Sequence, residues 1–250
     1  MPLIVHQFPC LSDNYGFLAH DEATGKTACI DTPEVAPILA ALKARGWTLD
    51  LILNTHWHPD HAGGNAEIVA ATGATVVGPA EVTKLTPIDR EVKGGDVVML
   101  GETKLEVIES GGHTLGHIAY FDSADRIAFV GDTLFALGCG RLFEGTAEQM
   151  WGSLQRLAAL PDDTTVYCAH EYTASNARFA LTVDDGPALR TRAAEIFAMR
   201  ERGEPTVPTS IGLEKATNPF LRAPQLAGTA GEPDYQAFAT VRAAKDDFKG

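Results

Sequence analysis

Along its first two-thirds the chain runs in short apolar stretches separated by turn residues, interrupted by a few segments with helical spacing. Leu3–Phe8, Tyr15–His20 and Thr27–Asp31 predict strands. Val35–Arg45 places Val35, Ile38, Leu39 and Leu42 on one face, the pattern of an amphipathic helix. Asp50–Asn54 is a short apolar run that predicts a buried strand. Asn65–Thr72 predicts a helix closed by Gly73. Further strands are expected at Thr75–Val77, Val97–Leu100, Lys104–Glu109, Ile118–Phe121 and Ile127–Val130. Ala147–Leu160 predicts a helix stopped by Pro161, and Thr165–Ala169 a strand.

Beyond Tyr172 the pattern changes. Ala174–Leu181, Ala188–Arg202 and Tyr235–Phe248 have helical spacing, and no further strand is expected. Gly203–Ser210 holds two prolines and predicts a linker. The break falls near residue 173, giving a domain over 1–173 and a helical one over 174–250. The fold class expected is α/β, a sandwich of mainly antiparallel sheets followed by a helical cap. Strict βαβ alternation, the mark of a doubly wound sheet, is missing.

With 250 residues, 45 % of them apolar, a sizeable core can form. The net charge of −13 opposes a nucleic-acid backbone, so no nucleic-acid partner is expected. No internal repeat, leader or apolar run near the length of a membrane span is read, so no membrane partner is expected. The four cysteines (Cys10, Cys29, Cys139, Cys168) form no Cys-x-x-Cys pair and predict reduced thiols in a cytoplasmic protein. The chain is expected to act as a monomer.

Three of the eight histidines lie within six residues, in His56-Trp57-His58-Pro59-Asp60-His61. Imidazole nitrogen and carboxylate oxygen suit Zn, Mn or Fe. His56 and His58 stand two apart at a strand end, so in extended geometry they share a face. Pro59 turns the chain and lets Asp60 and His61 project separately. Four donors from six residues crowd a single tetrahedral ion, so two adjacent metals are expected.

More donors follow later apolar runs: His113, Asp132 in Gly131-Asp132-Thr133, and His170. A lone strand-end Asp is usually a turn or cap residue; the recurrence of donors after strands is what points to a site. His117, four beyond His113 but followed by a strand pattern, predicts a supporting hydrogen bond. His6 and His20 have no donor neighbours and read as structural.

Thr55-His56-Trp57-His58-Pro59-Asp60-His61 resembles the signature of the metallo-β-lactamase superfamily. A narrower resemblance is to the glyoxalase II (hydroxyacylglutathione hydrolase) family. It rests on Leu11-Ser12-Asp13-Asn14-Tyr15, Gly131-Asp132-Thr133-Leu134-Phe135 with Gly138-Cys139-Gly140-Arg141, Glu144-Gly145-Thr146, His170-Glu171-Tyr172-Thr173, Asn218-Pro219-Phe220-Leu221-Arg222 and the tail Val241–Phe248.

The resemblance implies an αββα sandwich with a C-terminal helical domain and two divalent metal ions per chain, zinc foremost, with iron or manganese also accommodated. It implies that His56, His58 and His113 hold one ion, that Asp60, His61 and His170 hold the other, and that Asp132 bridges both with a water. It further implies a glutathione site made by Arg141, Phe143, Tyr172, Arg242 and Lys245. Phe143 departs from the tyrosine usual there, which removes one hydroxyl from the site. Ser110-Gly111-Gly112 and Ala169 also depart from the usual pattern, without removing a donor.

The expected chemistry is attack on a thioester carbonyl by a hydroxide shared between metals. Asp60 is expected to orient that hydroxide as well as bind metal. The thiol leaving group has a pKa near 8.5, so no general acid is nominated. Three other readings are weaker. An RNA nuclease conflicts with the acidic charge, a mononuclear persulfide oxygenase with the full second donor set, and a relic binding protein with the intact seven donors.

Overall fold

The computed structural model describes residues 2–249, so Met1 and Gly250, at the outer ends of the two expected domains, lie outside the described residues. The chain divides into two compact units, Met1–Glu109 with Gly116–Gly131, and Ser110–Leu115 with Asp132–Gly250.

In the first unit, β1 (Leu3–Cys10), β2 (Asn14–Asp21) and β3 (Lys26–Ile30) form an antiparallel meander. Helix α1 (Val35–Arg45) then carries the chain to β4 (Leu51–Leu53), parallel to β3. After α2 (Pro59–Ala62) and α3 (Asn65–Thr72), β5 (Thr75–Gly78) is parallel to β4, and β6 (Arg90–Glu91) to β5. Helical crossovers impose this switch, because parallel neighbours cannot be joined by a hairpin. Ile38 and Leu42 of α1 and Ile68 of α3 are buried with Leu18, Cys29, Ile52 and Val76 of the sheet. Each fully buried aliphatic side chain of this kind contributes about 1.5–3 kcal/mol. Gly73 ends α3 at φ 73°, a left-handed cap that costs glycine little.

Strands β7 (Val97–Leu100), β8 (Thr103–Glu109), β9 (Ile118–Asp122) and β10 (Ile127–Gly131) pair antiparallel in the order β10-β9-β8-β7. The Phe17 ring of β2 meets the Phe129 ring of β10 with centroids 6.0 Å apart. The two sheets therefore face each other, and α1 and α3 cover the outer face of the first.

In the second unit, β11 (Leu134–Phe135) and β12 (Gly138–Cys139) form a tight hairpin. Helix α4 (Ala147–Ala158) begins at Thr146, whose side-chain oxygen accepts from the Gln149 N–H. Strand β13 (Thr165–Cys168) leads to the hairpin of α5 (Thr173–Val183) and α6 (Pro187–Glu201), which buries Ala177, Ala180, Leu189, Ala193 and Ile196.

Two features correct the sequence reading beyond Tyr172. A strand does follow it: β14 (Thr209–Ser210) pairs antiparallel with β13, so the expected linker ends in a sheet. Helix α7 (Ile211–Thr217) comes next, capped by Ser210, whose side chain accepts from the Leu213 N–H. A two-residue strand and a seven-residue helix are too short to show a period. Helix α8 (Asp234–Asp247) closes the unit and packs Phe238 against Trp151 of α4. Among the described residues no helix is long and apolar enough to cross a membrane.

Candidate metal centre

The segment after β4 carries the first donors. It leaves the carboxyl end of a parallel strand, the place where α/β sheets gather ligand-binding loops. Asn54 anchors it: its Nδ2 donates to the His61 carbonyl at 3.0 Å, and its own carbonyl accepts from the buried Tyr120 hydroxyl at 2.8 Å. Asn65 Nδ2 donates to Asn54 Oδ1 at 2.6 Å.

His56 is wholly buried, and its Nε2 lies 3.0 Å from His58 Nδ1. Two nitrogens on one tetrahedral zinc, each at 2.0–2.1 Å, stand about 3.4 Å apart, so this convergence suits a shared ion. Pro59 takes the first position of α2, where its missing N–H costs nothing. The single helical turn that follows sets Asp60 Oδ2 3.5 Å from His61 Nε2.

Asp31 organises both histidines. Its carboxylate accepts from His61 Nδ1 at 2.8 Å, from the Thr55 N–H at 2.7 Å and from the Thr55 hydroxyl at 2.8 Å. The Thr55 hydroxyl spends its proton on Asp31, so at 3.0 Å from His56 Nδ1 it accepts from that nitrogen. Both imidazoles are thereby fixed as Nδ1–H tautomers, which leaves each Nε2 unprotonated and able to act as a donor to a metal. Asp31 holds φ 57°, a left-handed conformation uncommon for a residue with a side chain.

The second unit brings three donors together. His113 Nδ1 donates to the Arg141 carbonyl at 2.8 Å, and its Nε2 lies 3.4 Å from Asp132 Oδ2. His170 Nε2 lies 3.4 Å from Asp132 Oδ1. One carboxylate thus presents a different oxygen to each imidazole, the arrangement a bridging ligand needs. All three are buried. Gly140 makes the close packing possible: a Cβ there would stand 1.9 Å from the Asp132 carbonyl oxygen.

The donor chemistry, five imidazoles and two carboxylates, fits a dinuclear divalent-metal site. Thiolate is absent from the set. Burial pushes the thiols of Cys10 and Cys168 up to about 12 and that of Cys139 up to about 11, so they stay protonated. His117 is buried with its ring stacked at 4.8 Å on His56. His20 bonds Thr27 and stacks on Trp47, and His6 lies 2.9 Å from Arg45.

Comparison with known proteins sharpens this. Residues 25–170 match the metallo-beta-lactamase superfamily, and residues 171–248 match the hydroxyacylglutathione hydrolase C-terminus. The chain is 58 % identical to a hydroxyacylglutathione hydrolase of Erythrobacter litoralis, across 98 % of this chain and 100 % of that one. The chain belongs to the hydroxyacylglutathione hydrolase family. Another member, from Maricaulis maris, is 55 % identical across 98 % of this chain and 99 % of that protein. Among solved structures, ETHE1 from Myxococcus xanthus superposes with a TM-score of 0.69 at 29 % identity, covering 96 % of this chain and 90 % of that one. TTHA1623 in a di-iron-bound form gives 0.63 at 25 % identity, covering 87 % and 100 %.

The five residues expected to make this family's glutathione site all lie in the second unit. Phe143 is exposed and stands edge-on to His113 with centroids 5.2 Å apart. Tyr172 stacks on His170 at 4.6 Å with the rings nearly parallel. Arg141 Nε and Arg242 Nη2 both donate to Asp246 Oδ1, at 3.2 and 3.0 Å. Arg242 is buried, with Nη1 donating to the Cys139 carbonyl at 3.1 Å and its guanidinium over Phe220. Lys245 is half-buried beside Phe179 and Phe248, and its Nζ donates to Ser175. Both cations of α8 are thus engaged with protein groups.

Sequence reasoning passed over Asp31 and Asn14. Asp31 ends a strand just as Asp132 does, and that recurrence was a signal for it; Asn14 carried none beyond its place in a family segment.

Proposed function

We propose that the chain hydrolyses S-(2-hydroxyacyl)glutathione thioesters, such as S-D-lactoylglutathione, to glutathione and a 2-hydroxy acid, in methylglyoxal detoxification. The observation that carries this reading is the pairing of a His/Asp donor set with a C-terminal segment of the hydroxyacylglutathione hydrolase type.

In this reading His56, His58 and His113 would hold one divalent ion, Asp60, His61 and His170 would hold a second, and Asp132 would serve both. Such ions lower the pKa of water toward about 7 and polarise a carbonyl oxygen. Zinc is the first choice from the donor set, and the di-iron form of TTHA1623 supports iron as an alternative. Asp60 orients the attacking oxygen through its carboxylate. Expulsion of the thiolate needs no dedicated acid, because a thiol near pKa 8.5 leaves readily at neutral pH.

Glutathione carries two carboxylates. Arg141 and Lys245 offer the cations for them, while Arg242 holds the α8 side of the site to the Cys139 carbonyl and reaches substrate from there. Phe143 and Tyr172 flank His113 and His170 with apolar ring surface, and Tyr172 adds a hydroxyl. The domain division proposed, 1–173 catalytic and 174–250 substrate-binding, is supported by the family boundary between residues 170 and 171. A cytoplasmic location is proposed with it, supported by the four free, buried cysteines, and the chain is proposed to act as a monomer.

The test is a substrate panel with the purified chain: S-D-lactoylglutathione, glutathione persulfide and RNA. The reading expects release of free thiol from the first alone. Turnover of RNA or oxygen uptake with the persulfide would overturn it.

A further inference from the structure

We infer that Asn14 is a positioning residue for Asp60, an inference that rests on the two-metal reading above. Asn14 opens β2 and is buried, at 6 % exposure. Its Nδ2 donates to Asp60 Oδ2 at 3.1 Å and approaches the Asp60 carbonyl at 3.4 Å. One side chain thus holds both the carboxylate and the backbone of the same residue.

The holder is itself fixed from several directions. Asn14 pairs in register with Cys10 across the β1–β2 connection. That connection starts at Leu11, with φ 49°, and the Leu11 N–H donates to Glu34 Oε2 at 2.6 Å. Glu34 stands at the N-cap of α1, whose buried face is locked into the core. Packing is tight enough two residues on that a Cβ at Gly16 would meet the Phe8 ring at 2.4 Å. The backbone that carries the amide is therefore held independently of Asp60.

The choice of amide matters chemically. Asp60 lies on a four-residue helical turn with part of its carboxylate open to solvent, at 37 % side-chain exposure. Left alone it would sample several rotamers. An arginine or lysine at position 14 would hold it as well but would compete with a metal for its charge. A neutral N–H donor to Oδ2 fixes the rotamer, keeps Oδ2 close to His61 Nε2 and leaves the carboxylate an anion. Asp60 and His61 are then presented as a pair rather than assembled by the metal.

The experiment is stepwise zinc removal from the loaded full-length chain by a chelator, comparing wild type with Asn14→Ala and the near-isosteric Asn14→Leu. Kinetics and the thermal unfolding of the metal-free proteins are followed beside it. Losing the donor is expected to weaken the more labile zinc by about 10–100-fold. The tighter zinc, the KM and the metal-free Tm are expected to hold in the Leu variant while kcat falls. Wild-type affinity for both metals in both variants, with wild type itself holding two, would overturn this inference alone. Equal weakening of both metals together with a fall in metal-free Tm would overturn it in favour of a structural role. A wild-type chain with fewer than two metals would overturn the two-metal reading and this inference with it.

Discussion

Asp31 and His61, thirty residues apart in sequence, meet through a 2.8 Å hydrogen bond from the imidazole Nδ1 to the carboxylate. The same carboxylate takes both Thr55 donors, so one side chain sets His61 directly and His56 through the Thr55 hydroxyl. Asp31→Ala leaves the Thr55 N–H without its acceptor in a buried place, at a cost of about 1–3 kcal/mol. It also frees both imidazoles to rotate. Metal affinity and kcat are each expected to fall about 10–100-fold, checked by metal analysis after dialysis against a weak chelator and by steady-state kinetics. Full metal content with unchanged kcat would show that Asp31 orients neither ring.

Lys245 predicts a pH dependence of substrate binding. Burial foremost, and then the neighbouring Arg242, lower its pKa from 10.5 to about 8, with Asp246 pulling the other way. Below about pH 8 the ammonium is charged and available to a glutathione carboxylate; above it the charge is lost. KM is expected to rise as pH climbs through 8 and to become flat there in Lys245→Met. Stability moves in the opposite sense. Between about pH 8 and 10.5 the unfolded chain binds the proton that the folded chain has released, so stability increases over that window. A KM profile through pH 8 identical in wild type and variant would remove Lys245 from the site.

The β11–β12 hairpin, which links Asp132 to Arg141, is gripped by buried polar side chains. Asn218 Nδ2 donates to the Phe135 and Gly138 carbonyls at 3.1 and 2.9 Å, Asn176 Nδ2 to the Ala136 carbonyl at 3.1 Å, and Glu214 Oε2 accepts from the Leu137 N–H at 2.9 Å. Glu214 is ion-paired with Arg192. Asn218→Ala is expected to lower stability by about 1–3 kcal/mol, read as a lower urea midpoint with an unchanged m-value. An unchanged midpoint would mean the hairpin holds without the amide.

The long elements were legible in the sequence because each shows its period more than once. Val35–Arg45 and Asn65–Thr72 stand where the apolar spacing predicts them. The short ones were not: β11, β12 and β14 have two residues each, fewer than one full alternation. The parallel run β3–β6 was also hidden, since strand direction depends on the crossovers rather than on any residue pattern.

In the site, the six-residue cluster was legible because donors spaced by one or two residues are rare by accident. The groups that aim those ligands were not. Asp31, Thr55 and Asn14 belong to residue types common in turns and strand ends, and only the folded chain brings them to His61, His56 and Asp60. Arg242 was legible only through the family resemblance, and its burial against the Cys139 carbonyl depends on packing that no local pattern records.

Two-metal thioester hydrolysis is the activity on which the roles of Asp31, Asn14 and Lys245 depend. Its most direct test counts zinc, iron and manganese in one purified preparation while measuring hydrolysis of S-D-lactoylglutathione, before and after chelation and again after adding back zinc. Two metal equivalents per chain are expected, with hydrolysis lost with the metal and restored on its return. Full hydrolysis by metal-free protein, or none by a chain holding two metals, would contradict it.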